Sequence, residues 1–402
     1  MNGRPLPDLS NVKRVLIIRL SAIGDVIHAT PLASALKDAY PHLEISWLVE
    51  EIPAEIVLDS PDLEHVIVVP RSRWKRGRAR SPQVWREYLA FLSHLRAYHF
   101  DVTIDLQGYA KSALYALATR ARFRLGWWRM RDGANLVSRP LPRRPESIHR
   151  VDWFLDVARA LGVENPRVRF PIQIPDSARL SVQGKLGASG IAPGSPYVVI
   201  NQAAGNPPRR WGLQNFAGLA SQLALKYDLP SVLIGTPPES NDCEWIVQQV
   251  TEDMRRHSVI GGKPPLNLAG ETTLKELAAL LEGCILHISG DTGSTHLAAA
   301  LGIPVAAFYG STDPAHAGPW GQDEHVLARR DLCSPNCTIR QCAFAAGVRS
   351  AETRRNHIGK VEETNAVDSN PAGTARCLDA ITVDRALVVV DRILRNSQLM
   401  PS

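Results

Sequence analysis

RVLIIRLSAIGDVIHATPLASALKDAY (14–40) decides the fold. RVLIIR (14–19) is a short apolar run of the kind that forms a strand buried on both faces. LSAIGD is a turn of small residues, and from Val26 onward the apolar positions recur at helical spacing. Strand, turn and helix in that order open a βαβ unit, and the unit repeats. EISWLV (44–49), HVIVV (65–69) and DVTIDL (101–106) are further strands, separated by helical stretches such as QVWREYLAFLSHLRAY (83–98). This alternation predicts a doubly wound parallel sheet.

The series then starts again. YVVIN (197–201), SVLIG (231–235), CILHI (284–288) and PVAAF (304–308) read as strands, with helices near 213–227, 239–250, 273–282 and 293–301. The economical reading is α/β with two Rossmann-like domains. The first spans 1–183, a Gly-, Ser- and Pro-rich linker spans 184–196, and the second spans 197–381. A closing helix, VDRALVVVDRILRN (383–396), lies in the tail 382–402, and polar, poorly periodic residues 343–376 read as an insertion. Ligands of open α/β sheets sit beyond the carboxyl ends of the strands. Two such sheets facing each other would hold one ligand from each half in a cleft, which suits a two-substrate transfer enzyme.

Composition sets the outer limits. With 402 residues, 45% hydrophobic and 21% charged, the chain reads as globular, which excludes disorder, collagen and coiled coil as whole-chain classes. No run approaches the ~18 apolar residues of a membrane span, and MNGRPLPDLS lacks a signal-peptide core, so a cytoplasmic protein is expected. The net charge of +6 is unevenly shared: residues 1–180 carry 27 basic and 19 acidic side chains, residues 181–402 carry 19 and 21. Within the first half, residues 71–150 hold 18 basic against 5 acidic, a field that attracts a polyanion or an anionic membrane surface. Nucleic acid is the poorer partner, since no zinc-finger, KH or RNP signature accompanies the charge.

Chemistry concentrates in ISGDTGSTHLAAALGIPVAAFYG (288–310). A strand delivers Asp291, Thr292 and Gly293 form a tight turn, and a helix begins whose free N–H groups can receive phosphate oxygens, with His296 in its first turn as a further donor. Helix capping by Thr292 or Ser294 is the plain structural alternative. In QAAGNPPRRW (202–211) small residues let a ligand approach the backbone, and Arg209 can grip two diphosphate oxygens. Packing at a helix start is the alternative for Arg210 and Trp211. Glu239 follows strand SVLIG, where an acid accepts ribose hydroxyls or complements a helix dipole. No Asp-x-Asp occurs to hold a divalent ion, so no metal and no cofactor is expected, and absence of GxGxxG weakens a dinucleotide oxidoreductase. Cys243 and Cys284 read as buried thiols. Cys333, Cys337, Cys342 and Cys377 are spaced loosely for zinc or an iron–sulfur centre, and reduced structural thiols are the preferred reading.

SGDTGSTHLAAALGIPVAAFYGSTDP, with RVLIIRLSAIGDVIHATPLASALK and the Arg-Arg-Trp of 209–211, resembles the ADP-heptose:lipopolysaccharide heptosyltransferases of glycosyltransferase family 9, from about residue 14 to 342 and again from Cys377. The cysteine-bearing loop looks more like that of the heptosyltransferase II type. The resemblance implies a GT-B fold of two facing Rossmann domains. It implies an inverting transfer of heptose from ADP-L-glycero-D-manno-heptose, a substrate and not a cofactor, to the inner core of lipopolysaccharide at the cytoplasmic face of the inner membrane. It places the general base at Asp25, in the Gly24-Asp25 pair, where helix capping is the alternative. The donor falls to Arg209, Glu239, Asp291, Thr292, Gly293 and His296. The anionic acceptor falls to Arg71, Arg73, Lys75, Arg76 and Lys111. Two departures stand out: Arg209 replaces a usual lysine, and Gly212 stands where proline is frequent. Three alternatives remain open: another nucleotide-sugar donor within the family, a nucleotide-sugar epimerase on the same fold, and a non-catalytic glycolipid-binding protein.

Overall fold

A computed structural model describes residues 5–76, 81–205, 209–258, 262–332 and 376–396. They form two compact units, Met1–Gln173 and Ile174–Ser402. In unit 1, strands β1 (Arg14–Ile18), β2 (Glu44–Glu50), β3 (His65–Val69), β4 (Val102–Asp105), β5 (Phe123–Gly126) and β6 (Arg139–Pro140) make one parallel sheet in the order β3-β2-β1-β4-β5-β6. Helices α1 (Ile23–Ala39), α2 (Glu51–Val57), α3 (Arg71–Arg76), α4 (Pro82–Ala97), α5 (Ala110–Ala118) and α6 (Arg150–Ala160) connect and cover it. β1 is central: Ile17 lies beside Trp47 on one side and Ile104 on the other, and Val15 to Ile18 are fully buried. The strand order reverses between β1 and β4, so the loops after these two strands flank the crevice where such sheets bind ligands.

Unit 2 repeats the plan. Strands β7 (Val198–Asn201), β8 (Ser231–Leu233), β9 (Leu266–Asn267), β10 (Leu286–Gly290), β11 (Val305–Tyr309) and β12 (Val326–Ala328) form a parallel sheet ordered β12-β11-β10-β7-β8-β9. Its helices are α7 (Asp176–Ala188), α8 (Leu213–Tyr227), α9 (Ser240–Arg256), α10 (Leu274–Glu282), α11 (Gly293–Ala300), α12 (Pro314–Ala317), α13 (Arg376–Asp379) and α14 (Val383–Asn396). Here the switch lies between β7 and β10.

The boundary between the units differs from the expected one. The stretch read as the end of the first domain and the start of a linker is α7, and it is fastened to unit 2. Arg179 makes a two-pronged pair with Glu282 at 2.7 and 2.9 Å, and Lys185 pairs with Glu276 at 2.9 Å. Gly184 and Gly187 disguise this helix, yet neither would bring a side chain into contact with anything, so their cost is only the modest one of glycine in a helix. The C-terminal helix is likewise part of a core and not an appendage. Ala386, Val390, Ile393 and Leu394 are buried among Trp211, Phe216 and Phe308. Residues 333–375, with Cys333, Cys337, Cys342 and all but the last residue of the expected insertion 343–376, lie outside the described residues.

Asp105 ends β4 inside the protein. It accepts hydrogen bonds from the backbone N–H of Gln107 and Gly108 at 3.0 and 2.9 Å and from the Ser112 hydroxyl at 2.8 Å. Burial outweighs these bonds and lifts the carboxyl to about 6. A carboxyl raised above its unfolded value makes the native state bind the extra proton, so this group favours folding most below pH 4 and progressively less up to pH 6. Asp105→Asn keeps the Oδ1 acceptor and can donate to Ser112, so the variant should gain roughly 2–3 kcal/mol on the wild type between pH 4 and pH 7. Parallel denaturation curves across that range check this; a constant gap overturns it.

Candidate active site

Each unit gathers polar side chains just beyond the carboxyl ends of its central strands. In unit 1, β1 hands Arg19 into the loop ahead of α1. Arg19 is 5% exposed, and its Nη1 donates to the carbonyl of Leu106 at 2.6 Å while its guanidinium lies 5.5 Å from the Phe154 ring centre. Its other terminal nitrogen pairs with Asp25, in the first turn of α1. Arg150, the first residue of α6, takes the second carboxylate oxygen at 2.7 Å. Asp25 is not the helix cap: the N-cap of α1 is Ala22, without a side-chain hydrogen bond. His28, one turn on, is buried with its ring edge-on to His149, centres 5.2 Å apart. The carboxylate is therefore placed by two guanidiniums of different freedom, Arg19 locked and Arg150 38% exposed.

The pocket around Asp25 holds about 300 Å³ and is lined by Arg19, Gln107, Tyr109, Arg129, Arg131 and Arg150. Gly108, with φ +70°, lets the next loop close down: a Cβ there would come within 2.9 Å of the Arg129 carbonyl, and Arg131 N–H donates to the Gly108 carbonyl at 2.8 Å. Burial and the charges of Arg131 and Arg150 pull the Arg129 guanidinium below its usual range. Among the described residues neither Arg129 nor Arg131 has an ion-pair partner, so the pocket offers unspent positive charge beside a carboxylate. Three of the cations expected to dock the acceptor are engaged in ion pairs. Arg71 and Lys111 both close on Glu50, at 2.6 and 2.5 Å, and Arg73 pairs with Glu87 at 2.6 Å. Lys75 stands exposed on α3, and the side chain of Arg76 lies outside the described residues. Arg129, Arg131 and Arg150 carry no motif, and only their place in a basic stretch signals them.

In unit 2, β10 runs into Asp291, Thr292 is the N-cap of α11 without a side-chain cap bond, and Gly293 begins the helix. Asp291 is nearly buried, and its Oδ2 lies 2.9 Å from Arg209 Nη1 while its Oδ1 lies 3.7 Å from His296 Nε2. Burial alone would raise this carboxyl, but His296 and Arg209 outweigh it and hold it at about 2. Asp291 thus serves as the anchor for two donors, Arg209 and His296; as an anion it is ill suited to touch a diphosphate. Arg209 Nε has no hydrogen-bond partner among the described residues. Glu239 turns back on its own helix start, accepting the Thr236 N–H at 2.6 Å, two strands along the sheet from α11.

Sequence patterns missed the support beneath this turn. His287, fully buried in β10, is driven by burial to about 4 and is therefore neutral. Its Nδ1–H donates to the Val199 carbonyl at 3.0 Å, so Nε2 must accept the Ser294 hydroxyl at 3.0 Å. Ser294 then accepts from Asn201 Nδ2 at 3.0 Å, and Thr295 spends its proton on the Gly290 carbonyl. Hydroxyl protons point inward, and the backbone N–H groups of the first turn are the donors left for an anion. Trp211 is no surface residue: it is 1% exposed, stacks on Phe308 at 3.9 Å and donates to the Ile381 carbonyl at 2.7 Å. Gly212 follows with φ 93°, a conformation closed to proline, which accounts for its presence here. Cys243 and Cys284 are buried thiols, both pushed up to about 12 by burial, and Cys377 is buried in the apolar core of unit 2.

The model of glycosyltransferase family 9 (heptosyltransferase) matches residues 88–346. The chain belongs to glycosyltransferase family 9. Lipopolysaccharide heptosyltransferase 1 of Escherichia coli is 29% identical over 322 residues, covering 78% of this chain and 92% of that one. Among solved structures, E. coli ADP-heptose heptosyltransferase II superposes with a TM-score of 0.68 at 21% identity, covering 96% and 99% of the two chains. E. coli heptosyltransferase WaaC with ADP gives 0.62 at 27% identity, covering 85% and 99%. The fold is thus α/β with the paired Rossmann-like units of GT-B enzymes. The expectation of the heptosyltransferase II type rests on the cysteine-bearing loop, and Cys333, Cys337 and Cys342 lie outside the described residues; in sequence the type 1 enzyme of E. coli stands at 29%. As a family 9 member the protein is a glycosyltransferase.

An Asp291 carboxyl held at about 2 stabilises the fold above its unfolded value near 4, and that contribution is lost as pH falls toward 2. Asp291→Asn should lower stability by about 2 kcal/mol at pH 7. The gap should close on acidification. Denaturation midpoints of both proteins at pH 7 and pH 3 check this; a gap that grows in acid overturns it.

Proposed function

We propose that this family 9 enzyme moves heptose, with inversion, from ADP-L-glycero-D-manno-heptose to the inner core of lipopolysaccharide, working at the cytoplasmic face of the inner membrane. The observation that carries the reading is Asp25, a carboxylate in a pocket lined by four guanidinium groups together with Gln107, Tyr109 and apolar rings. An acceptor bearing phosphate or acidic sugars brings the anions that Arg129 and Arg131 lack. Arg150, the exposed partner, can turn to the same anion and free one Asp25 oxygen for the attacking hydroxyl. Asp25 takes that hydroxyl's proton as the oxygen bonds to the anomeric carbon, while the bond from that carbon to the diphosphate breaks.

The leaving ADP takes on charge, and unit 2 offers donors suited to it. Backbone N–H groups of Thr292, Gly293 and the rest of the α11 first turn, the unspent Arg209 Nε and His296 receive it. These donors supply charge that a divalent ion supplies elsewhere, so the reading includes no metal. Glu239 lies two strand spacings from α11, about 10 Å along the sheet, a distance that a nucleotide can span from diphosphate to ribose. Its carboxylate retains an oxygen for the ribose hydroxyls while the other caps the turn.

Mass detection of a heptose added to a defined inner-core acceptor, with release of ADP, tests the reading; release of ADP without acceptor modification overturns it. Asp25→Asn should cut kcat by ~10²–10⁴ with both KM values nearly unchanged. A variant within threefold of wild type would remove Asp25 as the base. Replacing Arg129 and Arg131 together by alanine should raise acceptor KM by about tenfold or more, leave donor KM alone, and flatten the salt dependence of acceptor binding. Equal effects on both substrates would count against this pocket.

A further inference from the structure

Unit 1 keeps an apolar surface that neither site uses. Eleven large apolar side chains of unit 1 stand more than a third exposed, against three in unit 2, among the described residues. Four of them share two neighbouring helices: Trp85 and Leu89 on α4, exposed by 56% and 59%, and Leu114 and Leu117 on α5, exposed by 52% and 49%. α4 has a single buried residue, Leu95, and touches α5 through Tyr88 and Phe91, whose ring centres lie 6.3 and 6.0 Å from that of Tyr115. Each helix leads into a strand of the same parallel sheet, so the two run in the same direction across its face. Arg86 and Arg96 then lie toward the two ends of α4, and Arg120 just past the end of α5.

Charge decides what covers this face. Arg86, Arg96, Arg120 and Arg122 are exposed and have no ion-pair partner among the described residues. The acids of the same stretch are turned inward or already engaged: Glu87 pairs with Arg73, Asp101 accepts the backbone N–H groups of Lys13 and Arg14, and Asp105 is buried. A surface with an apolar middle and unpaired arginines at its ends complements a partner that is itself apolar within and anionic at its surface.

We propose that the outer face of α4 and α5 is the surface by which unit 1 lies on a bilayer containing anionic phospholipid, with Trp85, Leu89, Leu114 and Leu117 entering the headgroup region and the arginines meeting lipid phosphates. The inference rests on the proposed function, since a lipid-linked acceptor is what makes such docking useful. It adds the surface and the chemistry of its partner.

Sedimentation with vesicles of phosphatidylethanolamine and phosphatidylglycerol, against vesicles of phosphatidylcholine, tests it. The wild type should bind the former and largely ignore the latter. Leu89→Ser with Leu114→Ser, and separately Arg86→Glu with Arg120→Glu, should each lower binding roughly tenfold. Melting temperature and turnover of a delipidated inner-core oligosaccharide should stay unchanged in both. Full vesicle binding by the leucine pair variant overturns the proposal. So does a wild-type protein that self-associates without vesicles and loses that association in the leucine variant, which would make the face a contact between copies. Turnover of the delipidated oligosaccharide reads the transfer without any membrane, so failure of the proposed function is seen separately.

Discussion

Arg19 ends the central strand of unit 1 with its guanidinium almost wholly out of water, and a cation there is tolerable only where acid and carbonyl partners meet it. Asp25 comes from α1, the Leu106 carbonyl from the loop after β4 and the Phe154 ring from α6, so one buried charge draws three elements to the end of β1. Gln107 completes the loop by accepting the N–H groups of Leu20 and Ser21 at 3.0 and 3.3 Å. The placement of Asp25 thus follows from solvating Arg19. A second guanidinium, from Arg150, leaves the carboxylate at the surface of the pocket.

Unit 2 solves the converse problem. Its central strand ends on a buried anion, Asp291, and the groups that meet it are the Arg209 guanidinium and the His296 ring. Beneath them a neutral His287 fixes the direction of the Ser294 hydroxyl, which ties Asn201 of β7 to the first turn of α11. The outcome is a helix start whose backbone donors face outward while its side-chain hydroxyls are satisfied within. A carboxylate that holds donors in place and a carboxylate that accepts a proton look alike in a motif, and only their neighbours tell them apart.

The basic character of the first half divides in the same way. Arg71, Arg73 and Lys111 are matched by Glu50 and Glu87, whereas Arg129 and Arg131 in the pocket and Arg86, Arg96 and Arg120 on the outer helices have no acid among the described residues. Charge counted along the chain cannot make this distinction, because pairing depends on which strand ends and helix faces become neighbours. Unpaired cations in a concave pocket suit a discrete anion; on a helix face beside leucines they suit an extended one.

The repeated strand, turn and helix beginning at Arg14 and again at Tyr197 determined two parallel sheets, because burial on both faces demands the continuous apolar runs that make such strands legible. The turns holding Asp25 and Asp291 were legible for the same reason, since a carboxylate that ends such an apolar run marks the strand end. Strands of two residues, β6 and β9, are too short for any period, and α7 was hidden by two glycines at which a side chain would touch nothing. Trp211 next to two arginines looks like surface until Phe308, nearly a hundred residues on, stacks against it. The cationic wall of the Asp25 pocket likewise joins β1, the loop after β5 and the start of α6. Local sequence determined which groups sit at strand ends; which charges find partners there was decided by tertiary structure, because an ion pair is made between segments that the chain keeps far apart.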